Sequence, residues 1–435
     1  MSKKKIAVFW FRRDLRIDDN AGLYRALKSD CKVLPLFIFD TNILDQLEDK
    51  RDARVYFIWK KIHELKYDLE DRYGSSLLIK IGKPLEVFEE LLKEYTIAEL
   101  YTNRDYEPYA TERDKAVYEL MQEHNIPFKG YKDQVLFDKN EVLKDDDTPY
   151  EVFTPYMKKY KSLLNSFYLK SYPVRKYHAN FLEASKCDDV TLKELGFEQS
   201  YVDFPDDDFK TDIIESYDQT RDYPHMEGTT RLSLHLRFGT VSIRELARVA
   251  KSHNEKFFNE LIWRDFYQMI LYHFPKSVNE PFKAKYAAVK WENNEDHFKT
   301  WCEGKTGYPL VDAGMRQLNE TGYMHNRVRM LVASFLTKHL LIDWRWGESY
   351  FANKLLDYEQ ASNVGGWQWA AGCGVDAAPY FRIFNPELQV KKFDPDYKYI
   401  KKWVPEWDTK EYPDPIVEHK AARERALERY KSALD

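Results

Sequence analysis

Cysteine is scarce: four residues in 435, Cys31, Cys187, Cys302 and Cys373, with no CxxC pair among them. Such spacing argues against a disulfide framework or a structural zinc site and fits a reducing cytoplasm. Long apolar runs are missing too, and nothing approaches the roughly 20 residues of a membrane span. The start, Met1-Ser-Lys-Lys-Lys, leads into an apolar run over residues 6–11, without the longer core and small-residue cleavage site of a signal peptide. Positive charge is not in surplus: the net charge is −5, so any contact with nucleic acid must come from a local basic patch. No GxGxxG follows the first strand-like run, so the usual dinucleotide fingerprint is absent. No internal repeat or low-complexity segment is evident.

Aromatic residues, by contrast, are plentiful at 16%, with 11 Trp and 31 Tyr. Large cores account for many of them, yet many stand beside polar residues within helical patterns, which a dry core does not require. The length calls for two or three packed units. In the first third, strand-like runs at 6–11, 32–40, 76–81, 99–103 and 126–131 alternate with helical periodicity over 51–73, 84–95 and 109–125. This alternation predicts a Rossmann-like α/β domain with a five-stranded parallel sheet, spanning residues 1–131. Residues 132–205 are irregular, with several prolines and an acidic run at 145–147, and read as an interdomain linker. From 206 to 435 helical patterns dominate, among them 242–252, 254–274, 308–320 and 326–341, predicting a larger all-α domain.

Four stretches of that helical half carry unusual chemistry. In Gly228-Thr-Thr-Arg-Leu-Ser-Leu-His235, hydroxyl residues ahead of a helical run can offer donors to a phosphate, or simply cap the helix. In Glu260-Leu-Ile-Trp-Arg-Asp-Phe-Tyr267, the residues Glu260, Trp263, Arg264 and Tyr267 fall on one helix face. Carboxylate, indole, guanidinium and phenol together suit a cavity where a flat ligand stacks and forms hydrogen bonds, or else a solvated face. In Tyr323-Met-His-Asn-Arg-Val-Arg-Met330, Asn326 and Met330 lie one turn apart with Arg329 beside them, an arrangement for reading base edges or for arginines flanking a core Met. The densest stretch is Asp357-Tyr-Glu-Gln-Ala-Ser-Asn-Val-Gly-Gly-Trp-Gln-Trp369. There Gly365 and Gly366 permit close backbone approach, and Asp357, Glu359 and Asn363 can read a polar ring edge. Trp367 and Trp369, with Trp344 and Trp291 upstream, supply indoles that serve either packing or electron relay.

Together these segments resemble the photolyase/cryptochrome family, most nearly its class I cyclobutane-dimer photolyases. The resemblance runs from Phe9-Trp-Phe-Arg-Arg-Asp-Leu-Arg-Ile-Asp-Asp-Asn20 to Phe381-Arg-Ile-Phe-Asn-Pro386. It is strongest at Glu303-Gly-Lys-Thr-Gly-Tyr-Pro-Leu-Val-Asp312 and Gly365-Gly-Trp-Gln-Trp-Ala370. It implies an antenna domain followed by a helical FAD-binding catalytic domain. By this resemblance Tyr217, Thr229, Thr230, Leu232 and Ser233 hold the phosphates and sugar of FAD. Arg264, Arg329, Asp357, Glu359 and Asn363 surround its ribityl chain and ring system, with Asn363 facing the reactive ring nitrogen. Glu359 stands where the family more usually has Asp. Trp367, Trp344 and Trp291 match the photoreduction chain, ordered from flavin to surface.

Asn326 and Met330 follow the cyclobutane-dimer pattern rather than the His-bearing pattern of (6-4) enzymes, and Glu260, Trp263 and Trp369 match residues that contact a flipped-out dimer. The implied activity is light-driven repair of UV-damaged DNA by a deoxyribodipyrimidine photo-lyase, through electron transfer from excited reduced FAD. The alternatives are a cryptochrome-like blue-light photoreceptor or a (6-4) photolyase. Local charge nominates Arg327, Arg382, Lys391, Lys392, Lys401 and Lys402 for the DNA phosphates. For an antenna chromophore, Arg54 and Glu107 within Tyr106-Glu-Pro-Tyr109 resemble deazaflavin or flavin binders. Ala110, where folate binders carry Glu, disfavours folate. A monomer without a metal is expected.

Overall fold

The computed structural model describes residues 5–183 and 187–434. The charged start Met1-Ser-Lys-Lys lies outside them. The chain divides into two compact units. One comprises Met1–Glu141, Leu164–Asp208 and Leu232–Val249, the other Val142–Leu163, Phe209–Arg231 and Ala250–Asp435.

The first unit is built on a five-stranded parallel sheet, as the alternating pattern implied. Strands β1 (Lys5–Phe11), β2 (Lys32–Asp40), β3 (Leu78–Gly82), β4 (Thr96–Asn103) and β5 (Phe128–Tyr131) run in the order β3-β2-β1-β4-β5. Every residue of β1 after Lys5 is buried, because a central parallel strand is covered on both faces. Helices α1 (Ala21–Leu27), α2 (Ala53–Tyr73), α3 (Pro84–Glu94) and α4 (Pro108–Glu123) complete the crossovers. In place of a GxGxxG turn, Gly22 brings α1 against the sheet. A Cβ there would fall 2.8 Å from Asn103 Oδ1 and from the Phe9 ring. The charged motif after β1 is largely spent on this scaffold: Asp133 takes Arg16 at 2.6 Å and Arg244 at 2.8 Å, and Arg244 also bonds Asp19 at 2.9 Å, with Asp19, Asp133 and Arg244 buried and Arg16 half-buried.

The expected boundaries at 131 and 205 give way to a different division. Residues 164–208 join the first unit, where Phe181 bridges Val33 of β2 and Leu182 N donates to Val33 O at 2.8 Å. Residues 232–249 join it through the buried Arg244 ion pairs. Residues 142–163, by contrast, join the helical unit. A linker has few partners to bury against; this segment has them at both ends, and its irregular sequence concealed them.

The second unit is helical: α5 (Phe153–Leu163), α6 (Glu255–His273), α7 (Pro309–Thr321), α8 (Asn326–Ser334), α9 (Trp344–Lys354), α10 (Gln360–Ala371), α11 (Pro386–Phe393), α12 (Lys398–Trp403) and α13 (His419–Leu434). Helix α10 is its hub, packing against α6, α8 and α9. The expected single helix over 326–341 ends at Ser334 and continues as a π-helical turn, Phe335–His339. There Leu340 N reaches back to Phe335 O, and Thr337 Oγ1 donates to Ala333 O at 2.9 Å. The family-like segment from Glu303 to Asp312 is a structural lock. Buried Asp312 accepts from Thr306 N at 2.7 Å, Thr306 Oγ1 at 2.6 Å and Gly307 N at 3.1 Å, and also takes the Tyr412 hydroxyl. Among the described residues no helix is long and apolar enough to cross a membrane.

Candidate functional site

Helix α6 is buried on nearly all sides, and its apolar residues leave one strip half-open. That strip contains Glu260, Trp263, Arg264 and Tyr267, the face read from the sequence. Each of the four is tied to a neighbour. Glu260 takes Arg221 at 2.5 Å, and Arg221 lies 5.1 Å from the ring of Tyr217. Burial raises the Glu260 carboxyl above its ordinary range, with Arg221 opposing the shift. Trp263 is stacked on Phe153 of α5 at 3.6 Å, which covers one face of its indole. Arg264 pairs with Glu359 at 2.7 Å, both side chains about nine-tenths buried. The ring of Tyr267 sits where a side chain on Gly365 would be: a Cβ there would lie 2.3 Å from it. The glycine thus lets α10 close onto α6.

The neighbouring Gly366 is exposed, and a Cβ added there meets nothing within 4 Å. Open space therefore adjoins the bare backbone of α10, one turn beyond Asn363. The Asn363 amide donates to Glu348 of α9, to its backbone oxygen at 3.1 Å and its carboxylate at 3.0 Å. Burial raises the Glu348 carboxyl as well. On α8, Arg329 pairs with Asp357 at 3.0 Å and lies 5.7 Å from the Tyr323 ring; Arg231 lies 5.1 Å from the same ring. The Tyr323 hydroxyl meets Thr229 Oγ1 at 3.1 Å, and Arg231 Nε is buried without a hydrogen-bond partner. Arg231 is also paired with Glu227 at 2.9 Å, so two carboxylate-paired guanidiniums, one with its Nε free, and two hydroxyls make a corner able to offer donors to a diphosphate.

Asn326 occupies the first position of α8, exposed, with Met330 half-buried one turn later; His325 caps the helix by accepting from Arg327 N at 3.2 Å. Arg327 pairs with Asp222 and stacks over Phe393 of α11 at 4.4 Å, which ties α8 to the helix bearing Lys391 and Lys392. Lys391, Lys392, Lys401, Lys402 and Arg382 are all exposed. Trp367 and Trp344 are buried, while Trp291 and Trp369 are half-buried. The sequence reading missed Arg221, Phe153, Arg231, Tyr323 and Glu348. Arg231 and Tyr323 stand within two of the unusual stretches but were passed over there, whereas Arg221, Phe153 and Glu348 lie outside them and reach the site only through the fold.

A model described as the FAD binding domain of DNA photolyase matches residues 257–410, and one described as DNA photolyase matches residues 7–174. A deoxyribodipyrimidine photo-lyase of Halobacterium salinarum is 36% identical over 98% of this chain and 99% of its own length. This chain belongs to the DNA photolyase family. Solved photolyases share its architecture. A bacterial class III photolyase from Agrobacterium tumefaciens matches with a TM-score of 0.87 at 31% identity, covering 100% of this chain and 98% of its own. An archaeal photolyase from Sulfolobus tokodaii, solved with two FAD molecules, matches at 0.83 and 35%, covering 98% and 99%.

For a photolyase, FAD is the implied cofactor, and the residues fit it. The open flank of Gly366, the amide of Asn363, the Arg264–Glu359 pair and the arginine-bearing corner at Tyr323 supply a stacking surface, edge donors and a phosphate seat in one unit. Of the expected phosphate set, Tyr217, Thr229 and Thr230 belong to this helical unit, whereas Leu232 and Ser233 fall in the first unit. The six-residue helix Ser233–Phe238 has no side-chain cap. In the first unit, Arg54 is bonded to Asp52, with Nε 2.9 Å from Oδ1, and Glu107 is engaged by Arg13 at 3.0 Å and Arg237 at 2.8 Å.

Proposed function

We propose that this photolyase repairs cyclobutane pyrimidine dimers in DNA by light-driven electron transfer. The observation that carries the reading is the half-open strip on α6, where a burial-raised carboxyl and a singly covered indole face the same way. Bound FAD, reduced and excited by light, supplies one electron to the dimer and recovers it after the ring has split. The chain supplies the rest. Arg264, Arg329, Asp357, Glu359 and Asn363 hold the flavin ring and ribityl chain, with Tyr217, Thr229 and Thr230 toward the phosphates.

Glu260 donates or accepts a hydrogen bond at the base edge, and its raised affinity for a proton suits stabilising negative charge on the dimer. Trp263 offers its free face to the apolar ring, Trp369 covers the other side, and Asn326 and Met330 meet the bases. A dimer cannot reach such a recess while stacked, so it is flipped out, which a lesion permits at low cost. Arg327, Arg382, Lys391, Lys392, Lys401 and Lys402 take the flanking phosphates. Trp291, Trp344 and Trp367 relay electrons inward when the flavin must be reduced.

An antenna chromophore of flavin or deazaflavin type is proposed for the first unit, near Arg54 and Glu107. The second FAD named for the Sulfolobus relative supports a flavin. Four free thiols support a reducing cytoplasm, and a monomer is proposed.

Illumination of the purified protein with oligonucleotides carrying either lesion tests the function. Repair of the cyclobutane dimer is expected. Repair of (6-4) products alone overturns the substrate, and repair of neither supports a photoreceptor.

A further inference from the structure

Lys338 is buried to 1% in the π-helical turn between α8 and α9, and no carboxylate partners it among the described residues. Its Nζ donates to Ala371 O at 2.9 Å, at the C-terminal end of α10, and lies 3.7 Å from the centroid of the Tyr430 ring on α13. Ala371 and Tyr430 also line a cavity of about 80 Å³, whose walls include Trp291, Trp344, Arg345 and Cys373. Tyr430 itself stands 6.1 Å from Trp291, centroid to centroid. An amine with no counter-charge among the described residues is thus set behind two wall residues, Ala371 and Tyr430, of a recess that Trp291 and Trp344 both line. π-Helical turns are rare and tend to mark functional positions.

The geometry points to Lys338 as an electrostatic gate on the tryptophan relay: its ammonium opposes positive charge on Trp344 and Trp291, and loss of that charge lets the hole move outward. The role rests on Trp367, Trp344 and Trp291 carrying electrons, as proposed above. An electron that Trp367 would give to bound, light-excited oxidised FAD would be replaced from Trp344, and that of Trp344 from Trp291. One electron has then left Trp291, whose indole N–H gives its proton to water; a soluble thiol restores the electron. The Tyr430 ring stands between the ammonium and Trp291, and a fixed cation at that range in a poorly screened interior raises the cost of a positive indole.

Burial lowers the Lys338 amine to about 7, so it is charged below that pH and neutral above. The groups facing it do not compete. Cys373 is held up at about 12 by burial, the Tyr430 and Tyr286 phenols are raised, and His339 on its own turn is lowered to about 3. Arg345 of α9 is paired with Asp343 at 2.6 Å. A purely structural role, capping the end of α10, would leave electron flow insensitive to this titration.

The test follows oxidised-tryptophan absorption after a laser flash, and steady photoreduction with a thiol, from pH 6 to 9 in the flavin-loaded protein. In the wild type, the yield of long-lived oxidised tryptophan should rise on the order of tenfold across the Lys338 titration, the scale of one unit charge acting in a poorly screened interior. Lys338→Met should stay at the high-pH level throughout, and Lys338→Arg at the low. If Lys338→Met keeps the wild-type pH dependence, the gate is wrong. Should Met not fold, Lys338→Gln and NMR titration of ¹³Cε-labelled lysine in the dark wild-type protein decide it: a resonance titrating near 7 supports the gate, and its absence refutes it. Failure of the relay itself reads differently, as photoreduction in Trp367→Phe at the wild-type rate.

Discussion

Trp367 lies against Gly347 so closely that a Cβ at position 347 would fall 2.1 Å from its indole ring and 2.6 Å from Leu336. Helix α9 thus carries Trp344 and, three residues later, the gap that admits Trp367. Gly347→Ala should push the indole aside, costing roughly 1–3 kcal/mol of stability through overpacking and slowing photoreduction. Trp367→Phe should remove photoreduction with a smaller loss of stability. Urea denaturation and steady blue-light bleaching separate the two effects.

The Arg264–Glu359 pair, nine-tenths buried on both sides, joins α6 to the start of α10. Removing one partner leaves the other charged in a poorly solvated place, a loss of about 3–5 kcal/mol for a buried pair. Arg264→Ala should therefore lose both stability and bound flavin. Glu359→Asp should lose less of both, since the shorter carboxylate keeps its charge but must span an extra methylene to Arg264. The ratio of flavin to protein absorbance after gel filtration measures this.

Helical periodicity made the α6 strip legible because a helix buried on its other sides must place its polar residues on the remaining one. The strands were legible for a related reason: strand β2 matches its expected span because turn residues bound an unbroken apolar run. What periodicity could not show was pairing across long separations. Arg221 sits 39 residues before Glu260, and Glu348 lies in an ordinary helical run until the fold brings Asn363 to it. The segment expected as a linker was misread likewise, since Phe153 gains its meaning only by stacking on Trp263. The break of the expected 326–341 helix gave no sign, as its sequence carries neither Pro nor Gly.

Glu260 offers a test of the chemistry apart from the fold. It is half-buried, and its partner Arg221 is itself half-buried, so replacing it leaves no fully buried charge. Glu260→Ala should keep flavin and lower repair yield by about tenfold, the value of one hydrogen bond to a charged group. Glu260→Gln, which retains a donor, should recover part of it. Equal losses in both variants would mean that the carboxyl's proton, rather than its hydrogen bond, matters.

Acid should weaken the helix that carries Asn326 and Met330. His325 caps α8 through a ring nitrogen that accepts a hydrogen bond, and burial, then Arg327 and Arg329, lower its pKa to about 4. A lowered pKa means that its contribution is fully present above the unfolded value near 6.5 and is lost as pH falls through about 4. Denaturation midpoints should therefore drop between pH 6.5 and 4. His325→Asn, which keeps a capping oxygen, should flatten part of that fall. Buried His339, lowered to about 3, accounts for some of the remainder.

Salt separates the DNA contacts from the rest. Lys401 and Lys402 stand exposed in the last turn of α12, as Lys391 and Lys392 do on α11. That placement also suits the negative end of each helix, so exposure alone does not assign them to DNA. Counterion release does: each phosphate neutralised adds about 0.9 to the slope of log affinity against log salt. The double variant Lys401→Gln, Lys402→Gln should therefore reduce the slope by about two and weaken lesion and undamaged DNA alike. Neither change alters the contacts of Glu260 or Trp263, so repair per bound dimer should stay constant. Affinity that ignores salt in the wild type would remove this rim from the interface altogether.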